Sequence, residues 1–213
     1  MGCGGGNQMN LPKKDRNGNS YVSYSQLSLF KRSQSDYYEQ HVLQKPFEGN
    51  EYTDFGSKVG EALETNKFSK FSKKESNILK GVTRLNDFER KVTLNYDGFY
   101  VLGFIDTNKD DYSHIIDYKT GGIGKHLQYK KDDYTQLPLY ALSLRQETGI
   151  TPSKATVEFI TRAGNAFKGE KLTVADEPPI IIDIDISYNR LRQVYWDTLK
   201  TAKEIEQFYK KHK

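Results

Sequence analysis

The sequence predicts an α/β fold in which a mixed central β-sheet is flanked by α-helices. Three observations predict it. Segments with helical periodicity come first, strand-like segments with one helical stretch among them follow, and a long amphipathic segment closes the chain. The dipeptide Asp97-Gly98 sits between two apolar runs, the pattern of a tight hairpin. Leu191, Tyr195, Leu199, Ala202, Ile205 and Tyr209 recur along one face of the last segment. At 213 residues the chain can bury one well-packed core.

The elements follow in order. Residues 1–20 lack periodicity, so the expected organisation is a flexible leader over 1–20 and a single domain over 21–213. Position 6 is Gly rather than Ser or Thr, which argues against myristoylation of Gly2. Ser23 and Gln26 have the spacing of a capping box, opening a helix to about Val42 with Leu27, Phe30, Tyr37 and Tyr38 on its apolar face. After the breaks at Pro46 and Gly49, helices are expected over 54–66 and 73–90. Strands are expected over 91–96, 99–107 and around Asp117. Pro138 fits only a first helical turn, so the next helix begins near Thr135. A core strand over 154–162, outer strands over 167–174 and 180–186, and a helix over 188–210 complete the chain, with Trp196 expected to pack beside the last stripe.

Composition sets bounds. The mean hydropathy is −0.77, yet 15 Tyr and 11 Phe are too many aromatics for a disordered chain. A net charge of +4 is compatible with a polyanionic partner. Cys3 is the single cysteine, which excludes an intrachain disulfide, a Cys-based zinc site and an iron–sulfur cluster held by one chain. No apolar run approaches 18 residues, so neither a membrane span nor a signal-peptide core is expected; the expected compartment is a reducing cytoplasm, in a prokaryotic or phage setting.

The chemistry concentrates in Gly103-Phe104-Ile105-Asp106 and in Ile115-Ile116-Asp117-Tyr118-Lys119-Thr120-Gly121. Both read as buried strands joined by a polar turn, and Asp117 and Lys119 point to the same side because strand side chains alternate. A turn at Asp111–Tyr112 sets Asp106 opposite Asp117. Two close carboxylates among isoleucines repel one another, and a hard divalent cation relieves that repulsion. A plain cross-strand ion pair is the alternative.

Gly-Phe-Ile-Asp, then Ile-Ile-Asp-Tyr-Lys-Thr-Gly, then Gln136-Leu-Pro-Leu-Tyr140-Ala141, in this order and spacing, closely resembles the RecB-like branch of the PD-(D/E)xK nucleases. Ser23-Tyr-Ser25-Gln-Leu27, with Phe30 and Tyr37, resembles that family's opening helix, so the resemblance covers about residues 22–150. It implies a restriction-endonuclease-like core and metal-dependent hydrolysis of DNA, as an exonuclease acting on ends in replication, recombination or repair. Any motor would be a separate helicase or recombination partner. It further implies one or two Mg²⁺ or Mn²⁺ held by Asp106, Asp117 and the Tyr118 carbonyl, with Lys119 orienting or deprotonating water and Gln136 and Tyr140 beside them. Some relatives carry a four-cysteine iron–sulfur cluster; this chain lacks the cysteines for one. Where relatives place a metal-site histidine stands Gly60, which leaves Glu61 or Glu64 as the helix's carboxylates. Lys125, His126, Lys130 and Lys131 are expected DNA contacts. Lys67, Lys70, Lys73 and Lys74, interleaved with Phe68 and Phe71, form a further basic-aromatic segment of the kind that binds single strands. A silent DNA-binding or scaffolding module and a nuclease acting on RNA are the alternative functions.

Overall fold

The computed structural model describes residues 8–46, 48–130 and 134–213. A short strand β1 (Tyr21–Ser23) leads into α1 (Tyr24–Arg32) and α2 (Gln34–Tyr37), then a π-helical turn over Tyr38–Val42. Two more helices follow, α3 (Glu51–Thr65) and α4 (Lys73–Lys80). The strands β2 (Asp87–Tyr96), β3 (Phe99–Asn108) and β4 (His114–Gly121) form an antiparallel meander. A 3-10 helix over Lys125–Lys130 leads towards α5 (Gln136–Thr148) and β5 (Lys154–Ala163), which lies parallel to β4. The short strands β6 (Thr173–Val174) and β7 (Ile180–Asp183) both pair with β5, and α6 (Tyr188–His212) closes the chain. Among the described residues no helix is long and apolar enough to cross a membrane.

The sheet is therefore mixed and has helices on both faces, as the sequence predicts. Adjacent residues of β5 show the two faces: Phe159 joins a large core with α1, α5 and α6, and Ile160 joins a smaller one with α3 and α4. That double burial leaves residues 155–161 of β5 all buried, with Thr156, Glu158 and Thr161 among them.

One topological detail creates the site. The edge of β3 opposite β2 is shared by two neighbours: β1 pairs with Tyr100–Leu102 and β4 with Thr107–Asn108. Between those ladders, residues 103–106 have no strand partner on that side, so the sheet opens into a fork.

Local chemistry explains where the elements differ from the sequence expectation. Ser23 does cap α1, accepting from the Gln26 amide at 3.3 Å, but the buried Gln26 Oε1 makes no hydrogen bond, so the box is half formed. The first helix stops at Arg32 because Ser33 is extended (φ −156°) and caps α2 instead. Asn50, not Asp54, starts α3, with Thr53 completing a capping box. The third expected helix ends at Gly81, and 87–90 belong to β2, whose pairing with β3 overrides their helical pattern. Phe167 lies on a 3-10 turn (Ala166–Lys168) rather than in a strand, and Trp196 is exposed rather than packed in the core. Within the expected leader, Met9 and Leu11 are buried, and the Met9 amide bonds to the Gly98 carbonyl; these residues pack on the hairpin because they are apolar. Cys3 and the rest of 1–7 lie outside the described residues.

Candidate active site at the sheet fork

The carboxylates converge at the fork. The β3–β4 register ends at Thr107 against Ile116, so one residue further on Asp106 stands opposite Asp117. The Tyr118 amide donates to Asp106 Oδ2 at 2.6 Å, a side-chain substitute for the ladder bond. Asp117 is 1% exposed and fully engaged: Lys119 Nζ reaches its two oxygens at 2.9 and 2.6 Å, and the Tyr134 hydroxyl donates to Oδ2 at 3.1 Å. Tyr134, which sequence reasoning missed, is buried at the entry to α5; only tertiary contact carries that signal.

Burial, then the charge of Asp117, pushes the Asp106 carboxyl up to about 7, against the opposing pull of Lys119 and the Tyr118 amide. A second missed residue adds to this. Glu89, at a left-handed φ of 49°, sits where the β2–β3 register skips a pair between Phe88–Thr107 and Arg90–Ile105, and its negative charge raises Asp106 further. For Lys119, burial favours the neutral amine, but Asp117 and Asp106 outweigh it and hold the ammonium.

The fork opens on a cleft of about 910 Å³, lined by Lys119, Gln136 and Tyr140, by Tyr24 opposite, and by Lys31 and Arg32 in the last turn of α1. Gln136 is the first residue of α5 and donates through Nε2 to the Tyr140 hydroxyl at 3.1 Å. The Tyr140 ring lies directly on Gly103: a Cβ there would stand 2.2 Å from its Cε1. The glycine of Gly-Phe-Ile-Asp thus makes room for the tyrosine of the third block. Burial pushes the Tyr140 phenol up to about 12, so it enters the cleft as a neutral donor.

Other expected contributors lie elsewhere. Among the described residues no third acidic, histidine or cysteine side chain completes a metal-binding group with the two aspartates. Glu61 is held by Lys70 at 2.9 Å in an exposed pair, and Glu64 is exposed on the same helix; neither joins Asp106 and Asp117. Gly60 faces open space, with nothing within 4 Å of where a Cβ would stand, while Gly56 one turn earlier meets Thr120 Oγ1 of β4 at 3.3 Å. Lys125 and Lys130 are exposed on the 3-10 helix, whereas His126 packs against Phe159 with ring centroids 5.9 Å apart. Lys131 lies outside the described residues. The Lys67–Lys74 segment is not a stacking platform: Phe68 is buried in the smaller core, Lys58 covers Phe71 at 4.5 Å, and Lys74 pairs with Asp176.

The fold recurs in known proteins. The chain resembles the crystal structure of a presumed exonuclease from Eubacterium rectale, with a TM-score of 0.60 and 15% identity over 89% of this chain and 81% of that one. It also matches a phage-related exonuclease from Haemophilus somnus at 15% identity and a TM-score of 0.47, over 92% of this chain and 97% of the other. No curated protein matches. The family model of the PD-(D/E)XK nuclease superfamily matches residues 67–208, well over half of the chain and including both aspartates, Lys119, Gln136 and Tyr140. The chain belongs to the PD-(D/E)XK nuclease superfamily.

Proposed function

We propose that this nuclease hydrolyses DNA phosphodiester bonds with one or two Mg²⁺ or Mn²⁺, as an exonuclease acting on DNA ends. The observation that carries this reading is Asp106 facing Asp117 across the fork, with Lys119 on the second carboxylate. The exonuclease part draws on the resemblance to the RecB-like branch and on the neighbour from Eubacterium rectale.

Members of the superfamily generally use divalent metal ions, and the residues here fit one. Two opposed carboxylates, one driven up to about 7, are short of positive charge, and hard cations such as Mg²⁺ take one or two carboxylates and keep other positions for water. Asp106, Asp117 and the Tyr118 carbonyl would hold the ion. When bound, it supplies an acidified water and stabilises charge on the phosphoryl group.

The chain's own groups supply the rest. Lys119 is held as an ammonium by Asp117 and Asp106; once those charges are neutralised, burial is left to lower its pKa. It then orients the attacking water and accepts its proton. Gln136, at the N-terminus of α5, and the neutral Tyr140 hydroxyl donate to a phosphate oxygen in the cleft. Lys31, Arg32, Lys125 and Lys130 neutralise flanking phosphates.

The test is cleavage of end-labelled single- and double-stranded DNA, linear and circular, with and without Mn²⁺. Linear DNA is degraded only with metal, and circular DNA survives. Asp117→Asn abolishes both Mn²⁺ binding by calorimetry and cleavage. Lys119→Ala lowers turnover at saturating DNA by about 10²–10⁴-fold with little change in affinity. Lys119→Ala cleaving at the wild-type rate would leave a silent binding module as the better reading, and degradation of RNA alone would move the substrate class.

A further inference from the structure

Beyond the fork, at the far ends of β4 and β5, lies a second constellation that the proposed chemistry does not use. Arg162, next to the last residue of β5, lies over Tyr52 of α3, its guanidinium carbon 4.0 Å from the ring centroid. Its Nε is buried without a hydrogen-bond partner, and among the described residues its side chain has no carboxylate or carbonyl partner. Stacking on a ring leaves the edge donors of a guanidinium unspent. That edge faces the glycine segment after β4: a Cβ on Gly122 would stand 3.8 Å from Nη2.

Tyr52 also supports the neighbouring turn. The Phe167 ring contacts it with centroids 5.5 Å apart, yet Phe167 is 91% exposed. This exposure is not looseness. The Tyr52 hydroxyl donates to Asn165 Oδ1 at 3.2 Å and accepts from the Ala166 amide at 3.1 Å. Asn165 Oδ1 accepts from the Phe167 amide at 3.0 Å, and the Asn165 carbonyl accepts from the Lys168 and Glu170 amides at 3.0 Å. A single exposed apolar side chain is ordinary. A phenyl ring fixed outward by a hydrogen-bonded turn, sharing its support with an unpaired arginine, is a different case.

We propose that Arg162 and Phe167, joined through Tyr52, bind an unpaired stretch of the nucleic-acid substrate at the far ends of β4 and β5. This rests on the nuclease reading. Arg162 takes a phosphate beside Gly122, where the absence of a side chain allows close approach, and Phe167 stacks on a base. Gly122 is three residues past Lys119, about 10 Å along an extended chain, but Lys119 shares the sheet face of Phe159 and Arg162 that of Ile160, so the held strand passes round the end of β4 to reach the carboxylates. The occupant is a single strand because bases inside a duplex already stack on each other, whereas a splayed base offers its face to an aromatic side chain.

Binding in EDTA, which prevents cleavage, tests this with a fluorescent single-stranded oligodeoxynucleotide and a blunt duplex of the same sequence. Phe167→Ala is expected to weaken single-strand binding about tenfold or more while leaving duplex binding and thermal stability unchanged. Phe167→Trp keeps single-strand affinity. Arg162→Gln lowers the log–log salt slope by about one unit. Wild-type single-strand affinity in Phe167→Ala, or an equal loss on the duplex, overturns the inference; if the wild type still degrades DNA, the nuclease reading stands. A wild-type protein that neither binds nor cleaves nucleic acid removes both.

Discussion

Gly103 and Tyr140 show how two sequence blocks depend on one contact. The tyrosine ring occupies the volume where a side chain at 103 would begin, so Gly103→Ala must displace Tyr140 or bend β3. We expect Gly103→Ala to cost about 1–3 kcal/mol in chemical denaturation, the usual range for overpacking, and to lower turnover with it. Asp106 makes a second prediction at this scale. Its folded pKa of about 7 lies above the ordinary carboxylate value, so between about pH 4 and 7 the native metal-free protein binds more protons than the unfolded chain. Stability of the metal-free protein therefore falls as pH rises through that window and levels off above it. Asp106→Asn flattens that slope, and so does saturating Mn²⁺. Denaturation curves across the pH series decide it.

Among the elements, α3 carries the main departure from the family pattern. Its register is set at Gly56, which meets Thr120 of β4, and at Phe55, Val59, Ala62 and Leu63, which enter the smaller core. Gly60 belongs to neither contact. A mid-helix glycine costs roughly 0.5–1 kcal/mol relative to alanine, so Gly60→Ala should stabilise the protein by about that amount in denaturation experiments. Gly60→His should fold as well as the wild type, and isothermal titration with Mn²⁺ shows whether the position faces the ion. Gly56→Ala, by contrast, presses on Thr120 at 3.3 Å and is expected to lower stability.

For the whole molecule, charge and core can be separated. Lys125 and Lys130 are exposed on the 3-10 helix, so replacing both by Gln should weaken DNA binding and reduce its log–log salt slope by up to about two units. Single-turnover cleavage at saturating DNA should persist. Residues before β1 belong to the core: Leu11 is fully buried, and Leu11→Ala should cost about 2–5 kcal/mol, read from the denaturation midpoint.

The sequence by itself determined the mixed sheet, the Asp97-Gly98 hairpin, the start of α5 and the long closing helix, because each rests on local chemistry: a turn dipeptide, a proline, a one-sided stripe. It also identified the family, through three short blocks whose residue types and order survive without any coordinates. Other features follow from contacts between distant segments. Residues 87–90 joining β2 and Leu11 entering the core follow from partners that lie elsewhere in the chain, whereas Ser33 breaks the first helix locally, by capping α2. The fork is the clearest case: β1 and β4 divide one edge of β3, which no residue of β3 specifies alone. Tyr134 against Asp117 and the charge of Glu89 acting on Asp106 arise the same way, since a strand's neighbours are fixed only once the sheet has formed.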